Sequence, residues 1–109
     1  MRIWDVDPKC LCRKHLLAEH RELHGLWNIL IYHKVGYSRH PETLRWVGKE
    51  AALYTRHEKL AKELLRRGYK HLSPLSRKLL RGSKVQNQFL LSRRGQIQLL
   101  KSKPCDCPI

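Results

Sequence analysis

Between residues 9 and 33 the apolar side chains return at helical rather than strand spacing. Leu16, Leu23, Leu26, Trp27 and Leu30 fall on one stripe at about 100° per residue. A second segment, from residue 41 or 42 to 67, repeats the pattern with Thr43, Trp46, Ala51, Leu53, Leu60, Leu64 and Leu65. Lys49, Arg56, Lys59, Lys62 and Arg66 lie elsewhere around it. Strand signals are almost absent. A chain of 109 residues supports one modest core. The expected fold is therefore all-α, a small helical bundle of two long and one or two shorter helices in a single domain, 1–109.

Punctuation residues set the expected limits. The first seven residues read as extended, and Pro8 fits just before a helix. Gly36 and residues 38–41 read as a loop. Arg66-Arg67-Gly68 suits a helix end, where cations meet the dipole and glycine takes the left-handed position. Ser73-Pro74 predicts the start of a short helix running to Leu80, broken by Gly82-Ser83. A last helix is expected over residues 85–101, carrying Phe89, Leu90, Ile97 and Leu100, with Gly95 as its weak point.

The chain holds 23 Lys and Arg against 9 Asp and Glu, a formal charge of +14. Between residues 64 and 105 there are eleven basic residues and no acid. Such a surface attracts polyanions, so nucleic acid is the first partner to consider. An anionic membrane is a weaker fit, because no segment approaches about 18 consecutive apolar residues. Asp5, Asp7 and Pro8 interrupt any apolar start, so no signal peptide is expected and the protein is expected inside the cell.

Two acids stand out against this background. Glu19 and Glu22 are the only carboxylates between Pro8 and Pro41, three residues apart in the first helix. Glu19 falls inside the apolar stripe and Glu22 at its margin, while Arg21 points away. A carboxylate among apolar side chains is costly unless it is paired or protonated. His15, Arg21 and the N-terminal amine are available partners. Ordinary ion pairing and catalysis both remain open on this pattern.

His20 and His24 share a helix face at the i, i+4 spacing used by helical zinc sites. Arg21 occupies the place where the metalloprotease signature has Glu, and no third ligand is evident. No cofactor is expected. Cys10, Cys12, Cys105 and Cys107 form two pairs with one intervening residue each. They are compatible with free thiols, disulfides or a structural four-cysteine metal site, and any crosslink would tie the chain ends together. Tyr37 and Trp46, beside the central loop, are candidates to stack on a base.

Three segments resemble the pyrimidine-dimer DNA glycosylase family of the phage endonuclease V type. Met1-Arg2-Ile3 looks like the family's first residue followed by Arg-Ile. Residues 15–23, His-Leu-Leu-Ala-Glu-His-Arg-Glu-Leu, are similar to its first-helix motif. Residues 49–69, with Leu53, Arg56, Leu60, Glu63 and the closing Leu-Arg-Arg-Gly-Tyr, look like its second long helix. The match fades beyond Lys70.

The resemblance implies a DNA repair glycosylase with coupled β-lyase activity on damaged double-stranded DNA, a monomer sufficing. Its nucleophile would be the Met1 α-amine, which attacks the deoxyribose C1′ and forms an imine. Such an amine has a pKa of about 7.7–8 against about 10.4 for lysine, so roughly 300-fold more is free base at neutral pH. By position Glu22 matches the catalytic glutamate, with Glu19 supporting it. Arg2 and Arg21 match residues that grip phosphates and the lesion, and His15, His20, Lys49 and Arg56 are the further expected DNA contacts. Gly25 lies near a further arginine of the phage-type helix, and residues 101–108 replace that type's aromatic tail. The rival readings are a non-catalytic nucleic-acid-binding protein and a metal-dependent nuclease using His20 and His24.

Overall fold

Asp7-Pro8 starts the helical part of the chain. The Asp7 carboxylate accepts from the Lys9 amide at 3.0 Å, and Pro8 takes the first position of a short 3-10 turn, Pro8–Cys10. The computed structural model describes residues 2–32, 39–70, 75 and 82–103. Its α-helices are α1 Arg13–Tyr32, α2 Pro41–Leu44, α3 Glu50–Arg66 and α4 Arg93–Ser102. No strand occurs among the described residues, so the all-α expectation holds.

α1 and α3 are the two long helices, and they pack on each other. Leu16, Leu23, Leu26, Trp27 and Leu30 of α1 meet a core that includes Leu53, Leu60 and Leu64 of α3. Ile3, Trp4 and Val6 of the extended terminal segment and Leu100 of α4 complete it. Each fully buried leucine contributes about 1.5–3 kcal/mol relative to exposure. Among the described residues no helix is long and apolar enough to cross a membrane.

The element limits differ from the sequence expectation in three places. The first helix starts at Arg13 rather than near Lys9, because Leu11 is extended (φ −94°, ψ 136°) after the 3-10 turn. The second long helix is split into α2 and α3 at Gly48, whose φ of 77° no right-handed helix admits. Gly82, also at φ 77°, lies against this break: the Ser83 amide donates to the Gly48 carbonyl at 2.9 Å. A β-carbon on Gly82 would run into the Gly48 carbonyl and the Glu50 carboxylate.

The last helix starts at Arg93 rather than Val85, with the Ser92 hydroxyl accepting from the Gly95 amide at 3.1 Å. Phe89 and Leu90 lie outside it and are exposed, and Leu65 points to solvent from α3. The end of α3 follows expectation. Gly68 takes φ 91°, its amide donates to Leu65, and the Tyr69 amide donates to Leu64, a Schellman closure. The short helix expected to run from Ser73-Pro74 to Leu80 lies outside the described residues, apart from the buried Leu75.

Candidate active site at the amino-terminal segment

An extended segment with no strand partner among the described residues must satisfy its amides and carbonyls elsewhere. Here side chains do so, residue by residue. The Arg2 amide donates to Glu22 Oε2 at 2.7 Å. The Ile3 amide reaches Glu42 Oε1 at 3.4 Å, and Trp4 makes a backbone hydrogen bond to Glu19. The Asp5 amide donates to Gln96 Oε1 of α4 at 2.7 Å, and the Gln96 amide group returns a bond to Asp5 Oδ2 at 2.9 Å. Three glutamates and a glutamine thus hold residues 2–5.

Three arginines, eleven residues apart in the sequence, secure this segment and the chain through the 3-10 turn after it by their backbone carbonyls. Arg45 Nη2 donates to the Ile3 carbonyl at 2.8 Å, Arg56 Nη1 to Val6 at 2.7 Å and Arg67 Nη2 to Leu11 at 2.7 Å. Each is fixed in turn by a glutamate: Arg45 by Glu42, Arg56 by Glu19 and Arg67 by Glu63. Eleven residues is about three helical turns, so Arg56 in α3 and Arg67 at its C-cap lie on one side of the helix, roughly 16 Å apart along the axis. The guanidinium suits this work, because its planar fork binds a carboxylate and a carbonyl together.

Glu19 is the most enclosed of these acids, with Arg56 Nε on one oxygen at 2.7 Å and Nη2 on the other at 3.0 Å. Burial pushes its carboxyl above the ordinary value, against the pull of Arg56 and of the Trp4 hydrogen bond. Glu19 therefore anchors the segment from inside the protein. Glu22 is only partly buried and meets the segment at its first described amide. Its place on the margin of the α1 stripe sets it at the edge of the core, beside residue 2.

The remaining expected site residues fall in different surroundings. Arg2 extends over the Trp4 ring, 5.1 Å from its centre, and Arg21 is exposed on α1. His15 stands edge-on to Trp4 with its Nδ1 3.0 Å from the Cys12 thiol. Burial, and then the charge of Lys103, lower its pKa, which favours the neutral ring. Lys49 Nζ donates to the side chains of Gln86 and Gln88 at 2.9 and 2.7 Å, and Arg56 is held internally. His20 turns toward His24 and His57, not into the Glu22 site. Met1, Tyr37, Cys105 and Cys107 lie outside the described residues, so the four-cysteine grouping does too. Trp46, expected to stack on a base, is buried: its Nε1 donates to Glu42 at 3.1 Å and Arg45 covers its ring.

Sequence reasoning missed Glu42, Arg45 and Gln96, which hold the segment at long range, and His57. For Glu42 and Arg45 the available signal was an i, i+3 acid–base pair in Pro-Glu-Thr-Leu-Arg. Gln96 had none. His57 was signalled by its place in the α3 stripe between Leu53 and Leu60. A groove of about 710 Å³ follows the outer side of the segment and carries Lys9, Lys59, Lys62, Arg66 and Arg93 on its walls. Neither Arg2 nor Glu22 lines it, so this basic groove is separate from the Glu22 carboxylate.

The fold and site define a basic helical protein that fixes its extended terminal segment against an acid of the first helix. Residues 1–76 match the family model described as pyrimidine dimer DNA glycosylase, and the chain belongs to that family. The matched stretch includes the terminal segment and α1 to α3, while α4 lies beyond it. Membership carries DNA glycosylase activity in repair, with DNA as substrate, at the level of the family. No curated relative and no solved structure matches significantly.

Proposed function

We propose that the protein is a glycosylase with coupled β-lyase activity on damaged duplex DNA, pyrimidine dimers first, acting as a monomer through the Met1 α-amine and Glu22. The observation that carries this reading is the 2.7 Å hydrogen bond from the Arg2 amide to Glu22 Oε2. It holds the Glu22 carboxylate against the residue that follows Met1 in the sequence, on a segment whose next residues are held by side chains.

The amine lone pair forms a bond to C1′ as the glycosidic bond breaks, and its electrons leave with the base. Opening of the sugar ring then gives a protonated imine. Loss of a C2′ proton expels the 3′ phosphate and cuts the strand. Glu22 stabilises the positive charge that develops on the sugar and the imine, and assists the proton transfers. Arg2 and the exposed Arg21 supply positive charge for the flanking phosphates. Glu19, Glu42, Arg45 and Arg56 are positioning residues that hold the segment carrying the nucleophile.

Borohydride trapping of untagged protein on undamaged, abasic-site and UV-dimer duplexes tests the reading. A covalent adduct on the dimer duplex is the expected result, with Glu22→Gln binding DNA but losing adduct and nicking. Normal nicking by Glu22→Gln would exclude Glu22. Full activity after acetylation of the α-amine would exclude the nucleophile. Binding without an adduct on any duplex would replace the enzyme with a nucleic-acid-binding protein.

A further inference from the structure

His57 is 0% exposed, in the centre of α3, and it brings a third imidazole to the i, i+4 pair His20 and His24. One ligand atom from each of the three rings lies within 4.8 Å of the other two. The His24 and His57 Nε2 atoms are 3.1 Å apart. Two nitrogens bound to a tetrahedral zinc at 2.0–2.1 Å are about 3.3 Å apart, so this pair needs only a slight opening to share an ion. His20 and His24 are half-buried, so the cluster sits at the edge of the core rather than sealed within it.

The second ring nitrogen of His57 strengthens the case. His57 Nδ1 is 3.0 Å from Glu58 Oε1. A proton held there by the carboxylate leaves the Nε2 lone pair turned toward His24, the carboxylate–histidine arrangement that orients metal-bound imidazoles. Neutral imidazoles favour borderline transition ions over magnesium or calcium.

We propose that His20, His24 and His57 bind one divalent transition ion, zinc being the first candidate, with water in the fourth position. The ion links α1 to α3. It is not part of the reaction, because Glu22 is two residues from both His20 and His24 and therefore about 160° around α1 from each. The site stands on its own geometry and does not depend on the imine mechanism.

The test uses untagged, chelator-treated and dialysed protein, titrated with zinc chloride and separately with cobalt chloride. One equivalent should bind, with a rise in Tm. The cobalt protein should show visible d–d bands without thiolate charge transfer, which separates the site from the cysteines. His24→Ala and His20→Ala, both at half-buried positions, should stay helical and lose at least about 100-fold in affinity together with the Tm rise. Glu58→Gln should keep the site but weaken it about 10–100-fold. Absence of binding, unchanged affinity in both histidine variants, or a thiolate spectrum would overturn the proposal.

Discussion

Glu22 and His24 are two residues apart in the chain, yet α1 turns them to opposite flanks. On the Glu22 flank, carboxylates and arginines hold an extended backbone in place, and one acid stays partly open beside its end. The His24 flank brings three imidazoles together across the α1–α3 interface, one of them fully buried. Both arrangements connect distant parts of the chain through polar side chains. The first pairs carboxylates with guanidinium groups, whereas the second gathers ring nitrogens within 4.8 Å of one another. A basic protein can therefore use arginine as internal fastening and histidine as a ligand set on two sides of one helix.

The sharpest way to break this contrast is catalytic. Glu22→Gln should lower single-turnover strand cleavage by at least about 100-fold with unchanged helicity. Chelator treatment should leave the borohydride-trapped yield of the wild type intact, since an imine needs no metal. Loss of trapping on chelation would merge the two flanks into one active site.

Arg56→Ala tests the fastening. It strands the fully buried Glu19 carboxylate and the Val6 carbonyl, so urea unfolding should show a loss of about 3–5 kcal/mol with little change in slope. Gly82→Ala should cost about 1–3 kcal/mol by the same measurement. Its backbone conformation is unfavourable for an L side chain, and the new methyl meets the Gly48 carbonyl.

The smallest effect separates two glutamates by pH. Glu63 is held at about 2, chiefly by its hydrogen bond from Arg66 and then by Arg67. Its folded value lies below its unfolded one, so its contribution is complete above about 4.5 and is lost as pH falls toward about 2. Glu19 is raised by burial and has the opposite sign, contributing less as pH climbs out of the ordinary carboxylate range. Thermal melts across acid pH should therefore flatten in Glu63→Gln. An unchanged acid slope in that variant would refute the pairing.

Much of the architecture is legible in the sequence. The apolar stripes of α1 and α3 and the Arg-Arg-Gly ending of α3 follow from local spacing, and local spacing is what a sequence displays. Gly48 broke the second helix because its left-handed conformation answers Gly82, a residue 34 positions away. Arg56 was expected on the DNA surface and is held internally, since nothing nearby in the chain reveals a buried Glu19 as its partner. Trp46 failed as a stacking residue because it is buried, with its indole N–H given to Glu42 and its ring covered by Arg45.

The sequence by itself determined that the chain is helical, strongly basic and built around two acids in its first helix, because period, charge and composition are properties of neighbours. Only the tertiary structure decided that both acids meet the terminal segment, Glu19 enclosed and Glu22 partly exposed. It also decided that three arginines face inward and that two histidines gain a third. These are contacts between residues 20 to 91 positions apart, formed when the α1–α3 core closes and leaves each buried polar group to find a partner.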